Sequence, residues 1–439
     1  MVFFKNFKNI FLIPELSRKL LVTVGILVIY RIGSFIPVVG INLQQLAQYM
    51  SSAKAVGGLL SYLDTISAGN LSQCTLFTLG IGPYITASIM MQLLSFSVPY
   101  FEQLTKEGDY GYKILNQYTR YLTFGLSVMY SLSYATFLER ANLVWTPGWA
   151  FKIVFVLSLT VGSMFVMWLG EQISLLGVGN GSSMLIFAGI VSRFFDYGIK
   201  TVVYVSEGTV GLFMALFIIV IYLVITACIV FLEKGERKIP VQYARRIVGQ
   251  RVYGGQSTFI PFKINTAGVM PVIFASSMLN VPIFIARMFS QKFALFQYLA
   301  SSLEPTKFLF NVLQFALIVF FTYFYTELVF NPDKLSEQLK KNGGFIPGIR
   351  PGKSTADYFF FILTRIGLVG AIYLGILSVL PNAMAAFISP MPFYVSGTSL
   401  LIVVGVALEF SAQIESYLIE HRYEGFLTSG RMKNGVSMR

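Results

Sequence analysis

Polar and apolar positions alternate on a long wavelength along this chain, with apolar runs of about 20 residues separated by charged or glycine-rich connections. A helix of about 20 apolar residues covers the roughly 30 Å of hydrocarbon in a bilayer. Ten such runs are legible, near Lys19–Val38, Cys74–Ser97, Leu115–Leu138, Gly148–Leu169, Ser182–Val203, Val210–Leu232, Asn265–Met288, Phe308–Phe330, Tyr358–Leu380 and Val395–Ile419. The pattern predicts an all-α polytopic membrane protein.

One segment breaks the rhythm. Between Val56 and Leu94 an apolar piece starts, stops and starts again. Leu59–Ala68 is too short to cross a bilayer and carries Asp64. Gly69 and Asn70 interrupt it, and the full-length run that follows contains Gly80, Gly82 and Pro83. Broken backbone at membrane depth is tolerated only where it is buried in protein or lines a cavity. The segment is therefore the best pointer to a pathway. Just beyond the break, Ile81 and Ile85 lie one helical turn apart and share a face.

Composition agrees with the membrane reading. Hydrophobic residues make up 55% of the chain and charged ones 12%, against about 25% charged in soluble domains, and the mean hydropathy is +0.69. The first run continues to Phe35-Ile36-Pro37 without a small-residue cleavage site, so it predicts a permanent span. Cys74 and Cys228 sit inside runs and offer neither a disulfide framework nor metal-ligand spacing. His421 is the only histidine, which excludes a histidine-centred metal site or catalytic triad within the chain. No cofactor is expected.

Charge orients the chain. With alternate connections assigned to opposite sides, 23 lysines and arginines fall on the side of both termini and 6 on the other. Cytoplasmic connections carry the excess of Lys and Arg, so both termini are predicted to be cytoplasmic. Two connections on that side are long, about 233–263 and about 331–357, and both are basic. Connections of this length are usually functional. Residues around Arg251-Val252-Tyr253-Gly254-Gly255-Gln256-Ser257 alternate as a hairpin does. Two readings fit this cationic projection: attraction to anionic lipid headgroups, or docking of an acidic or nucleic-acid-bearing partner.

Inside the runs, carboxylates are scarce. Glu171, Glu233, Glu327 and Glu415 lie toward run ends; Glu409 is deeper, and Arg31 sits well inside the first run. The runs carry small and hydroxyl or amide residues instead, including Thr86, Ser88, Gln92, Asn265, Ser276 and Ser277. Such residues serve equally as helix-packing contacts. A coupled carrier requires an ion site near the midplane, for which Glu409 is the one weak candidate. An enzyme requires a nucleophile–base pair, a metal cluster or a P-loop, none of which is legible. A passive channel requires an apolar seal and large basic connections, both of which are present.

Several motifs, in order, carry a resemblance along essentially the whole chain. They are Tyr30-Arg31-Ile32-Gly33-Ser34-Phe35-Ile36-Pro37, Ala68-Gly69-Asn70, Leu79-Gly80-Ile81-Gly82-Pro83-Tyr84-Ile85-Thr86-Ala87-Ser88-Ile89 and Gln117-Tyr118-Thr119-Arg120-Tyr121. Trp168-Leu169-Gly170-Glu171-Gln172-Ile173, Gly177-Val178-Gly179-Asn180-Gly181, Phe345-Ile346-Pro347-Gly348-Ile349-Arg350-Pro351-Gly352 and Gly397-Thr398-Ser399-Leu400-Leu401-Ile402-Val403-Val404 complete the set. The chain resembles the SecY family, channel subunits of the bacterial protein-conducting (Sec) translocon.

That resemblance implies ten transmembrane helices in two inverted five-helix halves, here residues 1–203 and 204–439, with a short re-entrant plug helix at about 57–70. It implies plug residues Gly57, Leu60, Leu63, Asp64, Ile66, Gly69 and Asn70. It also implies a pore ring of Ile81, Ile85, Ile186, Ile273 and Ile402, with Ser182 at a position where the family often has an aliphatic residue. A lateral gate between the second and seventh spans would be lined by Thr86, Ser88, Gln92, Asn265, Ser276 and Ser277. Arg245, Arg246, Arg251 and Arg350 would dock partners. After Lys106-Glu107-Gly108, Tyr110-Gly111-Tyr112 leaves only Lys113 where the family often has a basic cluster. The implied partners are SecE and SecG, the SecA motor ATPase, the ribosome, unfolded preproteins with their signal sequences, and anionic lipids. The implied location is the cell inner membrane, and the implied function is secretory export with lateral insertion of membrane proteins, without catalysis by this chain.

Overall fold

The computed structural model describes residues 13–52, 70–243, 246–248, 251–253, 257–265, 267–289, 294–303, 307–387 and 395–434. The expected plug residues Gly57, Leu60, Leu63, Asp64, Ile66 and Gly69, and the expected docking residue Arg245, lie outside them. Among the described residues the chain is mainly helical, and its five strands lie in the long connections. It divides into two compact units, Met1–Asp196 with Val406–Arg439, and Tyr197–Gly405.

The first unit begins with α1 (Pro14–Gly33), α2 (Leu43–Ser52) and the single turn α3 (Asn70–Gln73). After an irregular stretch come α4 (Gly82–Ser97), α5 (Pro99–Lys106), α6 (Asp109–Arg140), α7 (Trp149–Leu176) and α8 (Gly181–Ser206), the last running on into the second unit. Prolines open α1, α4 and α5, where a missing N–H costs nothing because the first turn has no acceptor for it. Helices α6 and α7 run antiparallel and are tied at both ends. Arg120 forks onto Glu171 at 3.0 and 2.7 Å, and Lys152 meets Glu139 at 2.9 Å. The core between the helices holds Phe77, Leu138, Phe155 and Leu159, each essentially without exposed surface.

The second unit continues with α9 (Leu212–Lys234) and the strands β1 (Glu236–Tyr243), β2 (Arg246–Val248), β3 (Arg251–Tyr253) and β4 (Ser257–Lys263). Then follow α10 (Met270–Phe289), α11 (Ala294–Ser302), α12 (Phe308–Val329), α13 (Pro332–Lys341), β5 (Gly344–Phe345) and α14 (Lys353–Phe387). The last helix, α15 (Gly397–Asn434), starts in this unit. A buried polar chain joins α12 to α14: Gln314 donates to the Ser378 hydroxyl at 2.8 Å, and Asn382 donates to Gln314 at 3.3 Å. It flanks Pro381, which leaves the Leu377 carbonyl without its helical donor.

Among the described residues, five helical segments are long and apolar enough to cross a membrane: Trp149–Leu176, Leu212–Lys234, Phe308–Lys341, Lys353–Met384 and Gly397–Glu420. Helix α4, with 16 residues, is about 24 Å long. Its deficit corresponds to the irregular segment before it, which occupies the first part of the predicted run.

Candidate functional site

The break between α3 and α4 is a dense hydrogen-bonded knot. Asn70 is 2% exposed; its amide donates to the Phe77 carbonyl at 3.3 Å, and its own carbonyl accepts from the Thr78 hydroxyl at 3.1 Å. Tyr134 of α6 donates to the Leu71 carbonyl at 2.9 Å. The chain before α2 pairs alongside, with Val38 N donating to Cys74 O at 3.0 Å and Leu76 N to Ile36 O at 2.8 Å. Gly80 takes φ +53°, a left-handed conformation open to glycine at no steric cost. Gly162 of α7 lies against the Leu76 carbonyl so closely that a Cβ there would collide with it. Backbone polar groups that a helix would have satisfied are thus satisfied by side chains and neighbouring chain, as burial requires.

The knot delivers Ile81 at the start of α4. Ile81 is buried, and Ile85 and Ile186 are half-buried. A Cβ on Gly170 of α7 would lie 3.3 Å from Ile81 Cδ1, 3.4 Å from Leu185 Cδ1 and 3.7 Å from Ser182 N, so α4, α7 and α8 converge here on a glycine. Ser182 does not stand free: its hydroxyl and its N–H both donate to Asn180 Oδ1, at 2.7 and 3.1 Å. That is an N-cap, a local reason for a hydroxyl at this position. Thr86 is buried, donates to Gly82 O at 3.1 Å and is hydrogen-bonded to Tyr130 of α6. Gln92 donates to the Ser88 hydroxyl at 3.5 Å, on its own helix.

In the second unit, Ile273 of α10 and Ile402 of α15 are both buried. Ser276 is buried and donates to Ile273 O at 2.9 Å, and Ser277 beside it is half-buried. Asn265, 2% exposed, precedes α10 and donates to Glu233 Oε1 of α9 at 2.6 Å and to the Gly268 carbonyl at 2.9 Å.

The two long basic connections fold together. Strand β1 pairs antiparallel with β4 from Glu236↔Lys263 to Gln242↔Ser257, and with β5 at Gln242↔Phe345 and Tyr243↔Gly344. The expected hairpin is present, with β2 and β3 pairing as Arg246↔Tyr253 and Val248↔Arg251; Arg246 and Arg251 enter only through that backbone register. Ile239, Val241 and Phe262 face Leu339, Ile346, Phe359, Ile362 and Leu363 in a core of their own. Arg350 is exposed on the turn after β5. There Gly348 and Gly352 take φ +83° and +105°, and Arg350 O accepts from Thr355 at 2.9 Å.

The SecY family model matches residues 75–411. The chain belongs to the SecY family. Its SecY relatives include the protein translocase subunit SecY of Thermus thermophilus, 40% identical over 98% of this chain and 99% of that one. Another, from Escherichia coli K12, is 42% identical over 95% of each chain. Among solved structures, one described as that of a protein-conducting channel matches with TM-score 0.66 and 19% identity, covering 91% of this chain and 92% of the other. Sec61 in a canine ribosome–channel complex matches with TM-score 0.63 and 19% identity over the same shares. At such identities the likeness speaks to the SecY fold.

Sequence reasoning passed over three features of this SecY chain. Glu233 reads as a carboxylate near a span end, whereas its partner Asn265 lies beyond the whole strand region. Tyr134 is one of 24 tyrosines, and nothing local marks it as the clasp on Leu71. Gly162 carried a signal, because small residues in apolar helices mark close backbone approach.

Proposed function

We propose that this SecY-family chain is the central protein-conducting channel of a Sec translocase. It carries secretory proteins across the inner membrane of a bacterial cell and releases membrane proteins laterally into it. The observation that carries the reading is the near-full-length identity to translocase subunits. The buried, interrupted segment at Asn70–Gly80 leads directly to Ile81, which agrees with it. Each of the ten apolar runs overlaps a helix: α1, α4, α6, α7, α8, α9, α10, α12, α14 and α15. This supports ten spans; in the proposed reading they form two inverted halves, 1–203 and 204–439, with both termini cytoplasmic.

In this reading Ile81, Ile85, Ile186, Ile273 and Ile402 form the collar. Bulky aliphatic side chains bind no ion, offer no hydrogen bond to a passing chain, and gate by dewetting when empty. Ser182 belongs to the rim, with its hydroxyl occupied by Asn180. The plug is 57–70, anchored at its C-terminal end by Asn70. Thr86, Ser88, Gln92, Asn265, Ser276 and Ser277 line the seam, where hydrogen bonds of about 0.6 kcal/mol suit a door that must open. The folded pair of basic connections, with Arg245, Arg246, Arg251 and Arg350, docks the SecA motor and the ribosome. A ribosome-bound canine relative supports the latter. SecE and SecG complete the membrane complex, anionic lipids surround it, and preproteins with their signal sequences are its cargo. The chain is a translocase subunit, not an enzyme, and energy comes from the motor, translation or the membrane potential.

The decisive experiment stalls a secretory chain in transit and crosslinks it from probes at positions 81, 85 and 402. Crosslinks at all three are expected; a stalled chain that touches none of them would sink the assignment.

A further inference from the structure

The joint before α10 is built with more care than a connection needs. Ile264 N donates to Gly235 O at 2.8 Å, at the end of α9. A Cβ on Gly370 of α14 would lie 2.7 Å from the Ile264 carbonyl oxygen, so no other side chain fits there. Val269 fills the space that Gly405 of α15 leaves, and a Cβ on Gly405 would collide with Val269 Cγ2 and sit 3.9 Å from Glu233 Oε1. Gly268 turns the chain with φ +62°. At the centre, the Asn265 amide bridges the Glu233 carboxylate and the Gly268 carbonyl. Its Oδ1 is buried and has no hydrogen-bond partner among the described residues. The amide is therefore held from its nitrogen alone, and one substitution releases it.

We propose that Asn265 and Glu233 form a clamp that sets the resting position of α10, the helix carrying Ile273, Ser276 and Ser277. Asn265 is thereby a positioning residue that acts on the seam from the foot of the helix. The physical argument is one of leverage and strength. A hydrogen bond to a carboxylate is roughly twice as strong as a neutral one, and this one, at 2.6 Å, fixes the turn from which α10 starts. Glycine at 370 admits the Ile264 carbonyl, and glycines at 235 and 405 admit the Ile264 and Val269 side chains, so the joint is closely packed. A second arrangement becomes accessible once the clamp opens.

The proposal rests on the channel reading, and the test separates the two. The full chain, in its membrane complex in vesicles, is assayed for resting anion leak and for unfolding temperature. Asn265→Asp places a carboxylate against Glu233 and is expected to raise the leak about tenfold, the scale of one lost charge-assisted hydrogen bond, together with some fall in unfolding temperature. Adding Glu233→Gln restores an amide–carboxylate pair with the roles exchanged and is expected to bring the leak back toward the starting value. Ser378→Ala, which breaks the buried bond to Gln314 in the same unit, should lower the unfolding temperature without leak. Ile81→Gly with Ile402→Gly reports on the collar itself. A leaking collar variant beside a tight Asn265→Asp overturns the clamp alone. Equal leak in Ser378→Ala, which is destabilised without touching the joint, overturns it too. If neither variant leaks, the collar reading fails and the clamp falls with it.

Discussion

The knot at 70–81 and the strand-bearing module of the two long connections solve the same problem with opposite means. Both must satisfy backbone polar groups outside a helix. In the module, β1 pairs with β4 and β5 in register, and the alternating side chains Ile239 and Val241 build a core with Phe262 and Phe359. In the knot the backbone pairing is a single antiparallel bridge, Pro37↔Thr75, and side chains must do the rest. Asn70, Thr78 and Tyr134 supply the donors, and glycines at 80 and 162 supply the room. A sheet needs space and a solvated edge. Irregular backbone within an apolar bundle needs specific side chains, because unsatisfied groups there cost several kcal/mol each. The module is therefore secured by volume, and the knot by shape.

Three substitutions strain that comparison. Phe262→Ala removes a fully buried ring packed on Phe359 at 5.5 Å and Phe330 at 6.0 Å. It should destabilise the module by about 3–5 kcal/mol. The expected outcome is rapid proteolysis within 233–263 while the apolar helices keep their circular dichroism; resistance equal to the parent would show that the core is not what holds the module.

Gly162→Ala adds one methyl group to the knot, against a backbone carbonyl that cannot swing aside. The expected loss is about 1–3 kcal/mol, read as a lower unfolding temperature in detergent. An unchanged temperature would mean that the knot yields as a cavity does, and that shape does not govern it.

Arg350→Glu stands on the module's surface, so stability should change by no more than about 0.5 kcal/mol. Export driven by the motor should nevertheless be lost, because the charge offered to the partner is reversed. Normal export from that variant removes Arg350 from the docking surface.

Much of the helical layout was legible beforehand. The long apolar runs and the strand pattern at Arg251–Tyr253 are local patterns, and solvent partitioning acts on local composition. The turn of 345–352 was equally readable from its glycines and prolines. Strand β5 was not, for two residues carry no period. Its pairing with β1 joins connections that look independent in sequence. Ser182 reads as a ring residue out of pattern until Asn180 is seen to accept both its hydroxyl and its N–H. Nothing local pairs Asn265 with Glu233, 32 positions away.

What the sequence determined alone is the class of solvent each stretch prefers, and with it the apolar runs and the strongly basic connections between them. Those follow from transfer energies that sum residue by residue. Only the tertiary structure decided which polar group in an apolar bundle meets which donor. Tyr134 lies 63 positions from Leu71 and Asn265 lies 32 from Glu233. A hydrogen bond depends on distance and angle within tenths of an ångström, and folding alone brings such partners together.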